Sequence, residues 1–225
     1  MKAPFAAALF AVAAAASSGC APLDMSVFVE GARFLDNTCA VSGDTNLAAG
    51  SLDIGPPLAF GVLPSYFAHF QIRSELEPIT TESGGDVLAG EARNEFVATD
   101  VLITYSLSTG AGVPQATDPI YFVVPPGATD SSIQFNLLDP AASQVIANAV
   151  GAGTAASLLV TFRFQGNVRS SSTGTLIPMH TPEVRFPITV TNRPTTLPTC
   201  TSPAVPVING PCGNSQESYS LGCSS

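Results

Sequence analysis

The sequence predicts an all-β fold: a single Ig-like β-sandwich of about eight strands with one short crossover helix. Three observations predict it. Apolar and polar residues alternate with period 2 over several strand-length stretches, most clearly across residues 65–76. Turn formers separate these stretches, with Gly and Pro at 19 each. Charged residues make up only 11% of the chain against 45% apolar ones, a composition that can build a core. No period of roughly 20–50 residues repeats, which argues against solenoids and propellers. A jelly roll is the alternative sandwich.

The strands follow in order. Residues 26–34 form the first, with Val27 and Val29 on one face and Phe28 on the other. Cys39 comes next, then turn chemistry in Ser42-Gly43-Asp44-Thr45-Asn46. Residues 51–54 form a short strand ended by Pro56-Pro57. In 65–76, Tyr66, Ala68, Phe70, Ile72 and Leu76 share one face, and His69, Gln71, Arg73 and Glu75 the other. Phe67 falls on the polar face beside His69, which makes Tyr66, Phe67 and His69 a candidate binding patch unless a second sheet or the helix covers it.

Residues 78–94 read as a polar loop, 96–107 as a strand and 110–119 as a loop. Residues 120–124 form a strand stopped by Pro125-Pro126-Gly127, and 132–138 the next, with Ile133, Phe135 and Leu137 inward. The period then changes. Asp139 is a good N-cap, Pro140 suits the first helical position, and Gly151 can close the helix. Residues 157–165 alternate again, 170–174 are a turn, and 183–191 form the last strand. Pro187 on its outer face predicts an edge position, because it cannot donate to a neighbour.

The N-terminus carries a different signal. Lys2 precedes an apolar run over residues 3–16, and Ser17-Ser18-Gly19 lead into Cys20. The run is shorter than the roughly 20 residues that cross a bilayer, and has the length of a signal-peptide core. Ser17-Ser18-Gly19-Cys20 resembles the lipobox of bacterial lipoproteins, although Ser17 stands where an aliphatic residue is usual. The resemblance implies diacylglycerol on the Cys20 thiol, cleavage before Cys20 and acylation of the new amino group. Ala21 in place of Asp then implies the outer membrane. The organisation expected is a signal peptide at 1–19, lipidated Cys20 with a short tether at 20–25, a sandwich at 26–192, and a Pro/Thr- and Cys-rich tail at 193–225.

Five cysteines are present: Cys20, Cys39, Cys200, Cys212 and Cys223. Lipidation of Cys20 leaves four, enough for two disulfides in an oxidising compartment. Three pairings are open. The expected one is Cys39 with Cys200, tying the first strand to the end of the last, and Cys212 with Cys223. Zinc binding by Cys200, Cys212 and Cys223 lacks any Cys-x-x-Cys pair.

Lys2 is the only lysine, so residues 20–225 carry Arg alone against 17 Asp and Glu. Such a surface repels phosphate backbones and anionic headgroups, so nucleic-acid binding is not expected and the lipid would do the anchoring. The two histidines, His69 and His180, read as solvated surface residues. No Gly-x-Ser-x-Gly elbow, His-Glu-x-x-His or P-loop accompanies them. Gly151-Ala152-Gly153 follows a helix and precedes a strand, the reverse of a dinucleotide loop. Asp36, Asp44 and Asp53 with Asn37 and Asn46 supply calcium-type oxygens, yet also favour turns for local reasons. The expectation is no metal, no cofactor and no catalytic set.

The layout as a whole resembles uncharacterised cell-surface lipoproteins of myxobacteria and related bacteria. The matching features are Gly19-Cys20, the early Cys39, the 66–76 strand, the 184–190 strand and the Cys-rich end. The resemblance implies no established activity; the anchor and the lack of a catalytic set lead to the expectation of a membrane-anchored, non-enzymatic binding or structural module, with an envelope protein as a candidate partner. A lipid-anchored hydrolase using His69 or His180, or a small-ligand carrier, are the alternatives.

Overall fold

The computed structural model describes residues 26–78, 82–83, 86–87, 94–170 and 176–224. The signal-peptide, Cys20 and tether readings fall outside them, as do most of the polar loop and the 171–174 part of the turn. In chain order the elements are β1 (Val27–Leu35), β2 (Val41–Leu47), β3 (Gly50–Asp53), α1 (Gly55–Ala59), β4 (Phe67–Ser74), β5 (Glu82–Ser83), β6 (Asp86–Val87), β7 (Asn94–Leu107), β8 (Ala116–Val124), β9 (Ser131–Asn136), α2 (Pro140–Ala149), β10 (Ala155–Ser170), β11 (Leu176–His180), β12 (Val184–Thr191), β13 (Val205–Asn209) and β14 (Ser220–Ser224).

The chain is an all-β sandwich. One sheet runs β2-β1-β4-β9; the other runs β3-β12-β10-β7-β8, with β11 added to β10. β4 has the burial its alternation dictates: Ala68, Phe70 and Ile72 are buried and the residues between them half-exposed. Across the gap, β10 and β12 bury Leu158, Val160, Phe162, Phe164, Phe186 and Ile188. Aromatic rings join the sheets, with Phe70 4.7 Å from Phe162 and Phe135 5.6 Å from Phe164. Phe70, Phe162 and Phe164 are fully buried, and each stabilises by about 2–3 kcal/mol through area alone, while Phe135 is partly buried.

Pro187 sits where its missing N–H does no harm. β3 pairs with β12 only from Ile188 to Thr191, so β12 is interior there and an edge at Pro187. Pro119 lies on β8, the outermost strand at the other side. α2 starts as its sequence requires, the Asp139 side chain accepting from the N–H groups of Ala141 and Ala142 with Pro140 in the first turn. It buries Ala142, Ser143 and Ile146. Its end differs from expectation: Val150 caps it in an extended conformation, and the positive φ belongs to Gly153.

Three local readings are corrected. Residues 42–46 are not a free turn; they lie within β2, which pairs with β1 through Arg33↔Asn46 and Ala32↔Leu47. Pro56-Pro57 do not simply end a strand, since both sit in the first turn of α1, where proline loses no helical bond. α2 is therefore not the only helix. The third concerns the disulfides, which join Cys39 to Cys212 and Cys200 to Cys223. Backbone geometry sets this pairing. The Cys212 N–H bonds the Asp36 carbonyl at 2.9 Å, bringing it to the turn that holds Cys39. Cys223 lies opposite Pro206 in the β13–β14 hairpin, within reach of Cys200.

That hairpin and the segment before β14 belong to the sandwich end. Asp53 N–H bonds Ser215 O at 2.9 Å and Glu217 N–H bonds Ser51 O at 2.8 Å, giving β3 a neighbour on its open side. The Gln216 amide bonds both the N–H and the C=O of Phe67, at 2.9 and 2.7 Å. Residues 215–217 thus stitch β3 of one sheet to β4 of the other.

Candidate interaction surface

The two residues nominated on the polar face of β4 lie on the outer face of their sheet, and Tyr66 does not join them. Tyr66 is fully buried, on the core side with Phe186 5.8 Å away. A patch containing it is therefore not exposed, and what remains is Phe67 and His69, both half-buried. Both face away from the second sheet, since the opposite parity of β4 is the buried one. His69 lies in register between Arg33 and Gln134. Gln134 in turn donates to Cys39 Sγ at 2.8 Å, so the Cys39–Cys212 disulfide flanks this face. Desolvation, then the Arg33 charge, hold His69 below the ordinary histidine range.

His180 is on the other sheet. It faces Gln165, which faces Asp100, so the three form one row across β11, β10 and β7. With Thr99, Gly166, Pro178 and Met179 they line a cleft of mixed polarity of ≈ 440 Å³. The fold does not bring the two histidines together. Two of the calcium-type carboxylates, Asp36 and Asp53, are committed to other bonds. Asp36 is spent on its own turn, accepting from Thr38 N, Thr38 Oγ1 and Ala40 N, and these bonds hold its carboxyl below the usual range. Asp53 is buried and accepts from Gly55 N at 3.1 Å, Arg193 N at 3.1 Å and Tyr219 OH at 2.7 Å. Among the described residues no three His, Cys, Asp or Glu side chains gather as a metal site.

A surface the sequence reading did not nominate stands out at the end of the sandwich where β4 begins. Phe60 and Val62, from the turn after α1, meet Pro206, Val207 and Ile208 of β13 and Gly213 around an apolar cleft of ≈ 360 Å³. Large apolar side chains lie exposed along the same two segments: Val62 at 54%, Leu63 at 41%, Leu58 at 38% and Val205 at 56%. The local fold explains the exposure. α1 is five residues long and turns only Gly55, Pro56 and Pro57 inward, leaving Leu58 and the residues after it on the outside. Among the described residues β13 pairs with β14 alone, in a two-stranded sheet apart from the two large ones.

A sequence signal for this surface does exist. Residues 54–68 and 194–216 contain no Asp, Glu, Lys or Arg, in a chain with formal net charge −9. Depletion of charge together with exposed aliphatic side chains is the composition of an interface centre. The two stretches lie about 140 residues apart in sequence, and only the fold joins them. Comparison with protein-family models, curated proteins and solved structures returns no match.

Proposed function

We propose that this chain is a bacterial envelope lipoprotein, held by acyl chains on Cys20, whose sandwich serves as a non-enzymatic binding or structural module. Cysteine accounting carries the reading. Four cysteines are paired as Cys39–Cys212 and Cys200–Cys223, which leaves Cys20 alone, directly after Gly19 in a lipobox-like stretch behind an apolar leader. Two disulfides also suit an oxidising compartment outside the cytoplasm. Several acyl chains, at about 0.8 kcal/mol per buried CH₂, anchor without help from basic residues. Ala21 favours the outer membrane as the location.

Cell fractionation tests this reading. Wild-type protein should sediment with membranes and resist high-salt washing, whereas full-length Cys20→Ser should not be acylated and should leave the outer-membrane fraction. Wild-type protein recovered without detergent in the soluble fraction would overturn it.

A further inference from the structure

We infer that the cleft between the end of β1 and residues 211–218 binds a primary ammonium group on a short alkyl chain, with the Glu217 carboxylate as its counter-charge. The inference rests on the reading of the domain as a binding module, names the chemistry of its ligand, and does not need the anchor.

The cleft is a space of ≈ 520 Å³ lined by Phe34, Leu35, Ser42, Pro211, Glu217 and Ser218. That is the size of a small-molecule site, and the lining has the usual make-up, apolar walls with a few polar groups. Leu35 and Pro211 are buried, Phe34 and Glu217 half-buried, and Ser42 and Ser218 exposed. Long-range bonds fix these walls in place. The Cys39–Cys212 disulfide and the bond from Cys212 N–H to Asp36 O hold Pro211 against the turn between β1 and β2. Glu217 N–H bonds Ser51 O at 2.8 Å, and Ser51 N–H returns a bond to Glu217 Oε1 at 3.1 Å.

Glu217 carries the argument. Its φ of 54° is costly for a residue other than glycine and persists only where the surroundings impose it, a feature that clusters at ligand clamps. Oε1 is committed to Ser51 N–H and the Tyr66 hydroxyl. Oε2 has the Ser51 hydroxyl alone, at 3.5 Å, the outer edge of hydrogen-bond reach. Among the described residues Glu217 has no ion-pair partner. A carboxylate offers about four acceptor sites, so Oε2 has capacity for a further donor.

The donor that fits is an ammonium. A guanidinium binds best as a fork on both carboxylate oxygens, and Oε1 is already taken. An ammonium is a point charge with N–H donors on all sides, suited to one carboxylate oxygen and the hydroxyls of Ser42 and Ser218. A hard divalent cation asks for about six oxygens, more than this lining supplies. Phe34, Leu35 and Pro211 give the attached methylenes an apolar wall. Lys2 is the only lysine, so residues 20–225 bring no side-chain ammonium of their own to the site. The formal net charge of −9 draws cations to the surface.

The test is calorimetric titration of the full-length protein, in uncharged detergent at low salt, with n-butylammonium. It should bind one to one with a Kd of about 1 mM or below. Butanol, which lacks the charge, and tetramethylammonium, which lacks the N–H donors, should bind at least about tenfold more weakly. Glu217→Gln keeps an acceptor for Tyr66 and should weaken n-butylammonium by about tenfold or more. Ser42→Asp adds a second carboxylate at an exposed position of the cleft and should tighten it by about threefold. No binding, equal binding of butanol or tetramethylammonium, or wild-type affinity in either variant would overturn the inference. Competition by Nα-acetyl-lysine methylamide supports it with a lysine side chain as the source of the ammonium; binding of n-butylammonium without that competition supports it with a free amine. The mass at Cys20 is read from the same preparation: an unlipidated chain that binds the amine sinks the anchor alone, and a lipidated chain that does not bind it sinks the site alone.

Discussion

The Tyr66 hydroxyl donates a hydrogen bond to the carboxylate of Glu217, 151 residues later in the chain. It locks the C-terminal segment onto the core. Glu217 also accepts from Ser51 N–H at 3.1 Å, and it reaches this position with a positive φ of 54°. Gly50 is required beneath, because a Cβ there would run into the Tyr66 hydroxyl. Tyr66→Phe removes a donor from a charged, half-buried acceptor and should cost about 1.5–3 kcal/mol in urea denaturation. Glu217→Gln keeps an acceptor for the phenol and should cost less. Wild-type stability in Tyr66→Phe would show that the contact does not hold the segment.

Gln216 makes a second lock. Its amide completes the backbone of Phe67 where β1 no longer runs alongside β4. Gln216→Ala leaves a half-buried N–H and C=O without their partner, at about 1–2 kcal/mol. Hydrogen exchange should report it locally, as faster exchange of the Phe67 amide with the middle of β4 unchanged.

The two disulfides should differ in weight. Cys39–Cys212 closes 173 residues and Cys200–Cys223 only 23. Loop-closure entropy gives about 5 kcal/mol for the first and about 3 kcal/mol for the second. The double serine variant of Cys39 and Cys212 should therefore unfold at lower denaturant than that of Cys200 and Cys223. The reverse order would mean that the first bridge spans a region already structured before closure.

How far the sequence exposes this architecture depends on how local each signal is. β4 is legible because every second residue from Tyr66 to Ile72 is apolar, and burial follows the same parity. α2 is legible because Asp139 and Pro140 act within one turn. β2 is hidden, since Ser42-Gly43-Asp44-Thr45 has turn composition and strand geometry comes only from pairing with β1. The cysteine pairing and the apolar cleft are hidden for the same reason. The Cys39–Cys212 bridge and the cleft each depend on contacts between segments more than 100 residues apart, such as Cys212 N–H on Asp36 or Phe60 beside Val207. Local chemistry dictates none of them.

Stability should depend on pH on both sides of neutrality. On the acid side, His69 is held below its ordinary range by desolvation and then by Arg33. The unfolded chain therefore takes up this proton first, near pH 6.5, and stability falls as pH drops below that value. His69→Gln should flatten the melting temperature between about pH 5 and 7. On the alkaline side, desolvation and the bond to Asp53 push Tyr219 up to about 12. The unfolded chain loses that proton first, so stability falls as pH rises from about 10 toward 12, and Tyr219→Phe should remove its share of this slope.

Under the proposed function Cys20 is an acylated anchor and the four other cysteines staple the domain. Intact mass of the native protein extracted from membranes, before and after reduction and alkylation, tests it most directly. The expected result is a chain beginning at Cys20 with the added mass of diacylglycerol and an amide-linked acyl group, and four cysteines alkylated only after reduction. Unreduced digestion should return Cys39 joined to Cys212 and Cys200 joined to Cys223. A chain without acyl mass, or with Cys20 alkylated before reduction, would contradict it.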